Sequence, residues 1–383
     1  MLRYFNAGES HGKALVALVD GFPAGVEVSV ELMDAELARR QGGYGRGGRQ
    51  RIEFDHVDVL SGVWHGHSIG SPIALLVPNK DYKIEQMDDL VRPRPGHGDL
   101  SGSIKYLGSI RGVLERASAR ETAVRVAAGA LAKQLLTPLG ITVFGYVTEV
   151  GPIVIRSQPG TIQQQRALRD KSQLYTLNPD QDAQLIALIQ QTQEQGDTLG
   201  GLVEVRVEGL PFGLGSHTQW DRKLDGQLAQ AVMSVQAIKG VEIGMGFEAA
   251  RRPGSQVQDP IRYDPTLADT PSLGFTRPTN HAGGLEAGMT NGQPIVIRAA
   301  MKPISTLARP LESVNLATKQ PEEASYERSD VCAVAAASCV IENVVAFEIA
   351  RAIVDKFGGD SLAEIQARWK LFHDMAHEKL TKG

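Results

Sequence analysis

The order of the strand-like and helix-like segments is the feature that most constrains the fold. Strand patterns, rich in Val and Ile with alternating hydrophobicity, occur at 72–77, 142–150, 202–209 and 293–300. Helix patterns occur at 29–41, 119–136, 182–195, 225–239 and about 331–356. Because the two kinds of segment do not alternate regularly, a doubly wound parallel sheet is not expected. We predict an α+β fold in a single large domain over 1–383, whose last residues, from about 365 to 383, form a mobile tail.

The charge balance excludes partners that need a strongly basic protein. The chain has 40 Lys and Arg residues against 44 Asp and Glu residues, a formal net charge of −4. Such a chain has no overall cationic field to hold a nucleic acid or a membrane surface. The longest nearly uncharged apolar run, 331–341, is too short to span a bilayer. Any anion must therefore be bound by local clusters of basic residues.

The two cysteines and the first residues indicate a reducing compartment. Cys332 and Cys339 are predicted to lie on one face of a helix, two turns apart and too distant to bond, as buried apolar side chains. The first ten residues lack the basic and apolar regions of a signal peptide. We therefore expect a cytoplasmic protein.

The segment RRQGGYGRGGRQR at 39–51 is the most unusual local composition, with five arginines and five glycines. Arg grips carboxylate or phosphate oxygens with two parallel hydrogen bonds, and Gly lets the backbone approach closely. The segment is therefore interpreted as part of a pocket for a multiply anionic small molecule. A solvated loop and an RGG-type RNA-binding segment are the alternatives, and the second is weakened because the run stops after thirteen residues.

Three motifs formally match known sites but lie in the wrong context. Residues 43–48 spell G-x-G-x-x-G, yet a helix pattern rather than a strand precedes them. Residues 8–12 spell G-x-S-x-G, yet too little chain precedes them to supply an oxyanion hole. His373 and His377 have helical metal-ligand spacing, but a solvated helix face is the better interpretation and no metal is expected.

Further basic and hydroxyl-bearing clusters accompany the Arg/Gly segment, at 92–100, 110–125, 280–284, 302–310 and 328–330. Each cluster alone is typical of a surface turn or a helix cap. Together, in a slightly acidic chain, they indicate one anion-binding site built from distant segments. The turn-rich region 251–292 and the segment 302–310 are hypothesised to close over a bound ligand.

A series of motifs, in order along the chain, resembles the chorismate synthase family. These motifs are AGESHG (7–12), RRQGGYGRGGR (39–49), RPGH (94–97), ERASARETAVRVAAGA (115–130), GDTLGG (196–201), KGVEIGMGF (239–247), TNHAGG (279–284), NGQPI (291–295), KPIST (302–306) and RSDVCAV (328–334). The resemblance implies a β-α-β sandwich assembled as a homotetramer. It also implies a flavin-dependent lyase that removes phosphate and the C6 hydrogen from 5-enolpyruvylshikimate 3-phosphate, giving chorismate. The family needs reduced FMN although the reaction has no net redox change.

The resemblance also implies roles for individual residues. His11 matches the general acid that protonates the departing phosphate, for which an imidazole that titrates near neutral pH is suited. His97 matches a histidine beside the reduced flavin, and Asp330 matches a carboxylate near flavin N5. The residues implied to bind the substrate, a phosphorylated dicarboxylate, are Ser10, Arg40, Arg46, Arg49, Arg111 and Arg120. Those implied to bind FMN are Arg116, Ala117, Ser118, Gln236, Ala237, Ala287, Lys302, Pro303, Ile304, Ser305, Thr306, Arg328 and Ser329.

Departures from the family pattern leave two functional alternatives open. Ala117 stands where Ser is usual, Ala287 where Gly is common and Ala335 where Pro is common, and the segment LGSI at 107–110 is one residue short. A scaffold that binds FMN without turnover is therefore one alternative. An RNA-binding module that uses 39–51 is the other, and it would show tight, steeply salt-dependent RNA affinity. The reductant is a separate question: NADPH serves only if the chain is bifunctional, and otherwise an external flavin reductase is required.

Overall fold

The structure, a computed structural model, describes residues 1–47, 54–327 and 330–381. Its α-helices are α1 (Val30–Gln41), α2 (Asp99–Tyr106), α3 (Ile110–Ala117), α4 (Thr122–Leu136), α5 (Ile162–Lys171), α6 (Asp182–Glu194), α7 (Leu224–Met233), α8 (Val334–Phe357) and α9 (Leu362–Thr381). The longer strands are β1 (Arg3–Ala7), β2 (Ala14–Asp20), β6 (Ile73–Pro78), β7 (Thr142–Val150), β9 (Gly201–Glu208), β10 (Ile238–Ile243) and β15 (Ile295–Met301). The short strands are β3 (Asp58–Val59), β4 (Val63–Trp64), β5 (His67–Ser68), β8 (Ile153–Val154), β11 (Arg262–Tyr263), β12 (Phe275–Thr276), β13 (Leu285–Glu286), β14 (Met289–Thr290), β16 (Glu312–Val314) and β17 (Pro321–Glu323).

Two antiparallel sheets enclose a layer of helices. One sheet has the strand order β1-β2-β6-β3 and the other β10-β15-β9-β7-β8. Helix α4 packs on β1, β2 and β6 of the first sheet, and α8 packs on β7 and β9 of the second. One contiguous hydrophobic cluster runs from Leu2 to Ile365 through both sheets and the helices between them. The predicted α+β class and single-domain sandwich are thus confirmed.

The central contact of the helix layer joins α4 to α8. Helix α8 is apolar on nearly all sides, which is typical of a fully buried helix. The two helices approach so closely at Gly129 that an added Cβ would lie 2.2 Å from the backbone oxygen of Asn343. The absence of a side chain at Gly129 therefore sets the spacing of the layer.

A buried cluster of charged side chains joins the same helix layer to its neighbours. The Glu342 carboxylate is 2 % exposed and lies 2.8 Å from an Arg39 nitrogen, 2.5 Å from Lys133 Nζ and 3.2 Å from an Arg169 nitrogen. It also accepts the backbone N–H of Gly145 on β7 at 2.8 Å. Glu342 therefore ties α8 to α1, α4, α5 and the second sheet.

Most of the predicted elements are confirmed, within a few residues at their ends. Helix α1 begins after Ser29, whose hydroxyl accepts the backbone N–H of Leu32 as an N-cap. The predicted helix 225–239 is wrong beyond Met233, because Ala237 adopts a φ of 65° and Ile238 starts β10. Region 251–292 consists of turns and short strands, as its composition indicates.

The C-terminal part, where the sequence predicts a mobile tail, contains a helix. Residues 362–381 form α9, where Trp369 stacks on Phe357 with ring centroids 5.3 Å apart and Phe372 meets the same ring edge-on. These aromatic contacts supply the packing energy that the sequence pattern did not reveal. His373 lies on α9 with its Nε2 3.1 Å from the Thr270 carbonyl oxygen.

The structure also describes the two cysteines and allows a search for metal sites and membrane-spanning helices. Both cysteines are buried free thiols, although Cys332 precedes α8 rather than sharing the helix with Cys339. Within the described ranges, no cluster of three or more His, Cys, Asp or Glu side chains could hold a metal ion. No helix in that part of the chain is both long and apolar enough to cross a membrane.

The Gly129 contact predicts the effect of a single methyl group. Gly129→Ala should lower the free energy of unfolding by about 1–3 kcal/mol, because Cβ would force α4 and α8 apart. Gly226→Ala in α7 is the matched control: its added Cβ meets nothing within 4 Å. That control should raise stability by about 0.5–1 kcal/mol. Urea unfolding of both variants measures the difference, and equal effects would contradict the packing argument.

The charge cluster predicts a pH-dependent contribution to stability. Burial raises the pKa of Glu342, but Arg39 and Lys133 outweigh burial, so the net pKa is lowered. A carboxyl group whose pKa is lower in the folded state stabilises the fold at pH values above its unfolded-state pKa, which is about 4.3 for Glu. This stabilisation is lost as the pH falls through the pKa of the folded state. Glu342→Gln should therefore cost about 3–5 kcal/mol near pH 7. Urea unfolding at a series of pH values should show that the difference in unfolding free energy between Glu342→Gln and wild type shrinks below about pH 4. A difference that stays constant with pH would refute this prediction.

Candidate active site

A cavity of about 650 Å³ opens where both sheets and the helix layer meet. The β1–β2 turn, the end of α1, the α3–α4 junction, the α7–β10 turn, the segment after β15 and the start of α8 all contribute to its lining. Its volume is in the range of ordinary small-molecule sites. Because β10 and β15 pair antiparallel, with Ile238 opposite Met301, the α7–β10 turn lies beside the segment that follows β15.

Most of the residues predicted from the sequence meet in this cavity. Those that line it are Ser10, His11, Arg40, Arg46, His97, Ala117, Ser118, Arg120, Gln236, Ala237, Lys302, Ile304, Ser305, Thr306 and Asp330. Arg49, Arg328 and Ser329 lie outside the described residues. The segment after β15 lies at the cavity, whereas the described lining includes no residue of 251–292.

Four predicted residues are described but do not line the cavity. Arg116 donates to the backbone oxygens of Asn6 and Gly8 and to Asn6 Oδ1 at 2.7 Å, which braces the end of β1. Ala287 lies in the turn between β13 and β14 with a φ of 51°. Pro303 and Arg111 are also absent from the lining in the described part of the chain.

His11 is anchored by a carboxylate that the sequence interpretation missed. Its Nδ1 lies 2.9 Å from Oε1 and 3.1 Å from Oε2 of Glu115, and its backbone N–H donates to Oε2 at 2.7 Å. The other ring nitrogen, Nε2, lies 4.0 Å from Asp81 Oδ2, and Asp81 also lines the cavity. Glu115 lies inside a recognised motif, but no local pattern indicates a contact 104 residues away.

His97 is held by a second buried carboxylate, which is shared with an arginine. Its Nδ1 lies 2.5 Å from Asp99 Oδ1. Arg94 grips the same carboxylate with Nε at 2.8 Å and an outer nitrogen at 3.0 Å, and donates to Thr306 Oγ1 at 2.9 Å. Burial raises the pKa of Asp99, but hydrogen bonds from His97 and Arg94 outweigh it and hold the pKa well below its usual range.

Two predicted arginines share one acidic partner. The Arg120 guanidinium lies 2.7 Å from both oxygens of Asp55, and a nitrogen of Arg40 lies 3.6 Å from the same carboxylate. Arg40 also donates to Thr122 Oγ1 and to the Ala119 carbonyl. Burial lowers the pKa of Arg40 to about 10, with Arg120 and Arg46 acting in the same direction and Asp55 against it. Guanidinium groups of this kind bind carboxylate or phosphate oxygens through charge-assisted hydrogen bonds.

Arg46, which the resemblance implies for substrate binding, pairs with Asp330, which it implies for a position near the flavin. An Arg46 nitrogen lies 2.7 Å from Asp330 Oδ2, and the Gly47 backbone N–H donates to Oδ1 at 2.6 Å. The backbone N–H groups of Val331 and Cys332 donate to the Gly45 carbonyl beside them. The Arg/Gly segment is thereby attached to the chain that enters α8.

The remaining lining combines apolar surface with isolated polar groups. The start of α8 supplies Ala333, Ala336, Ala337 and Val340. Burial, with Lys239 in support, lowers the pKa of Lys302. Gln236 donates to Glu121 at 2.7 Å, while its own Oε1 is buried and has no hydrogen-bond partner in the described part of the chain.

Segment 107–110, which is short relative to the family, forms a compact helix junction. Leu107 ends α2 with a φ of 50°, and Ser109 begins α3 by accepting the backbone N–H of Gly112 at 3.0 Å. Arg111 then lies 3.0 Å from Glu327 and 3.8 Å from Glu115. Arg111 therefore contacts the site through carboxylates rather than through the cavity.

Comparisons with known proteins agree with this geometry. The family model described as chorismate synthase matches residues 2–354. The chorismate synthase of Geobacter metallireducens is 55% identical over 388 residues, covering 98% of this chain and 99% of that one. That of Trichlorobacter lovleyi is 55% identical over 379 residues, covering 95% and 97%.

A solved structure extends the likeness to three dimensions. A crystal structure of a chorismate synthase is 40% identical, covers 98% of each chain and superposes with a TM-score of 0.81. Family model, curated relatives and solved structure each span nearly the whole chain. The chain therefore belongs to the chorismate synthase family.

Proposed function

We propose that this enzyme, a lyase of the shikimate pathway, converts 5-enolpyruvylshikimate 3-phosphate to chorismate and requires reduced FMN. The observation that carries the proposal is the cavity itself. In the described part of the chain it gathers two carboxylate-backed histidines, four arginines and an alanine-lined surface from segments distant in the sequence. An acid, an anion-binding cluster and a flat apolar surface are what a phosphate elimination beside a ring cofactor needs.

The cavity residues fit FMN in shape and in chemistry. The small side chains Ala333, Ala336 and Ala337 leave room for a flat ring, and the unpaired Gln236 Oε1 is an acceptor suited to a ring N–H. The residues that would hold FMN are Ala117, Ser118, Gln236, Ala237, Lys302, Ile304, Ser305 and Thr306. When bound, reduced flavin supplies electron density to the allylic system and returns to its starting state. Arg116, Ala287, Pro303, Arg328 and Ser329 remain proposals for this role from family resemblance alone.

The arginines bind the substrate's phosphate and carboxylates. Arg40 and Arg120 both line the cavity beside Asp55, and Ser10 lines it too, with its hydroxyl 3.3 Å from Ser118 Oγ. Arg46 exchanges part of its contact with Asp330 for an anionic group of the substrate. Arg49 and Arg111 are proposed as further contacts on the resemblance, and Arg111 reaches the substrate only if it leaves Glu327.

Two side chains handle protons and a third stabilises charge. His11 presents Nε2 and donates a proton to the departing phosphate oxygen, which neutralises the leaving group. Asp330 assists departure of the C6 hydrogen as a carboxylate that can hold a proton. His97, fixed by Asp99, stabilises negative charge on the neighbouring cofactor.

The assembly and the source of reducing equivalents are also proposals. A cytoplasmic homotetramer is proposed from the family resemblance. FMN reduction is proposed to depend on an external flavin reductase, with NADPH serving directly only if the chain is bifunctional. An assay with NADPH and FMN alone, followed by loss of NADPH absorbance, separates the two cases.

An anaerobic assay tests the proposed reaction. The protein should form chorismate, seen by its ultraviolet absorbance, from 5-enolpyruvylshikimate 3-phosphate and dithionite-reduced FMN, and should form none with oxidised FMN.

His11→Gln should lower kcat about 10²- to 10⁴-fold, the usual contribution of a general acid. Lys370→Met, an exposed α9 residue paired with Asp374 alone among described contacts, is the matched control and should keep full activity. FMN binding without turnover by wild type would overturn the proposal.

A further inference from the structure

Glu115 is a buried carboxylate whose contacts converge on one histidine. It is 1% exposed, and its side chain accepts from both the ring and the backbone N–H of His11. Its own carbonyl accepts the backbone N–H of Ser10 at 2.9 Å. Because a carboxylate accepts only, the proton of the neutral His11 ring must lie on Nδ1. Nε2 is then the atom that exchanges protons at the cavity.

The two buried carboxylates of the site are not equivalent. Asp99 is already gripped through two nitrogens by Arg94, so a full positive charge balances it without His97. Among the described residues, the arginine beside Glu115 is Arg111, whose nitrogen lies 3.8 Å from Oε1 and so beyond hydrogen-bond distance. The negative charge of Glu115 is therefore directed mainly at His11.

Other charged groups around His11 are arranged in pairs. Asp81, which faces Nε2 from the segment after β6, lies 3.0 Å from Lys83 Nζ. Arg111 on α3 is matched by Glu327, which lies 3.0 Å from it on the segment before residue 328. Of the two described carboxylates near the His11 ring, Glu115 is the nearer, at 2.9 Å from Nδ1 against 4.0 Å between Asp81 and Nε2.

We propose that Glu115 is a positioning residue that fixes the His11 tautomer and stabilises its protonated form, so that Nε2 carries the proton to the leaving group. This inference rests on the proposed function of His11 as the acid. The electrostatics of Glu115 support it. Burial raises its pKa, but the hydrogen bonds and charge of His11, together with Arg111, outweigh burial and lower the net pKa. The carboxylate is thus held ionised opposite the ring.

Kinetics of Glu115→Gln test the proposal. Glutamine keeps the shape and an acceptor oxygen but removes the charge. We expect kcat to fall about 10- to 1,000-fold with little change in KM, within the range of general-acid effects. The pH above which kcat declines should move downward, because the protonated ring loses its anionic partner. Glu115→Asp should recover part of the activity and the wild-type pH profile.

A matched variant separates positioning from stability. Asp182 is also a buried carboxylate that accepts a backbone N–H, from Gln173, and a hydroxyl, from Ser172, but it lies outside the cavity. Asp182→Asn should lower the unfolding midpoint while leaving the pH profile of kcat unchanged. The same downward shift in both variants, or no shift in Glu115→Gln, would overturn the proposal.

Nitrogen NMR of the ligand-free protein gives a readout independent of turnover. In histidine-labelled wild type, the His11 signals, identified by their loss in His11→Gln, should show Nδ1 protonated in the neutral ring. In Glu115→Gln the ring should become protonated only at lower pH than in wild type. Unchanged titration would refute the role of Glu115 even if turnover is normal. Absence of turnover in wild type, with the expected NMR result, would instead count against the proposed reaction alone.

Discussion

The contact of α8 with α4 is the constraint on which the rest of the structure depends. Gly129 allows the two helices to meet at backbone distance, and this spacing lets one layer fill the gap between two sheets. The start of α8 then lies where the ends of α1, α7 and β15 converge. Because α8 is too apolar to face water, it is buried along almost its full length, and its first turns line the cavity.

Charged side chains form two separate groups near this helix. On the outer side, Glu342 gathers Arg39, Lys133 and Arg169 into a closed cluster that holds the fold. Arg40, the next residue along α1, instead faces the cavity, where it and Arg120 share one carboxylate. Adjacent arginines on one helix therefore have different surroundings: Arg39 lies in the buried charge cluster and Arg40 lines the cavity.

Much of this arrangement could be predicted from the sequence, and the exceptions have a common cause. The Ser29 cap and the alternating pattern at 142–150 are local signals, and both gave the correct element. The turn at Ala237 and the helix beyond 362 depend on partners elsewhere in the fold: β15 in one case and Phe357 in the other. The arginines and histidines of the site were recognisable as residues, but their carboxylates were not. Asp55 lies 65 positions from Arg120 and Glu115 lies 104 from His11.

We propose that one cavity holds the flavin against the alanines of α8 and the substrate's leaving phosphate within reach of His11 Nε2. A crystal structure of the protein with FMN and 5-enolpyruvylshikimate 3-phosphate tests it most directly. We expect flavin density between Ala336 and the segment from Lys302 to Thr306, with the phosphate in hydrogen-bond contact with His11 and with Arg40 or Arg120. Density for either ligand outside this cavity, or a phosphate remote from His11, would contradict it.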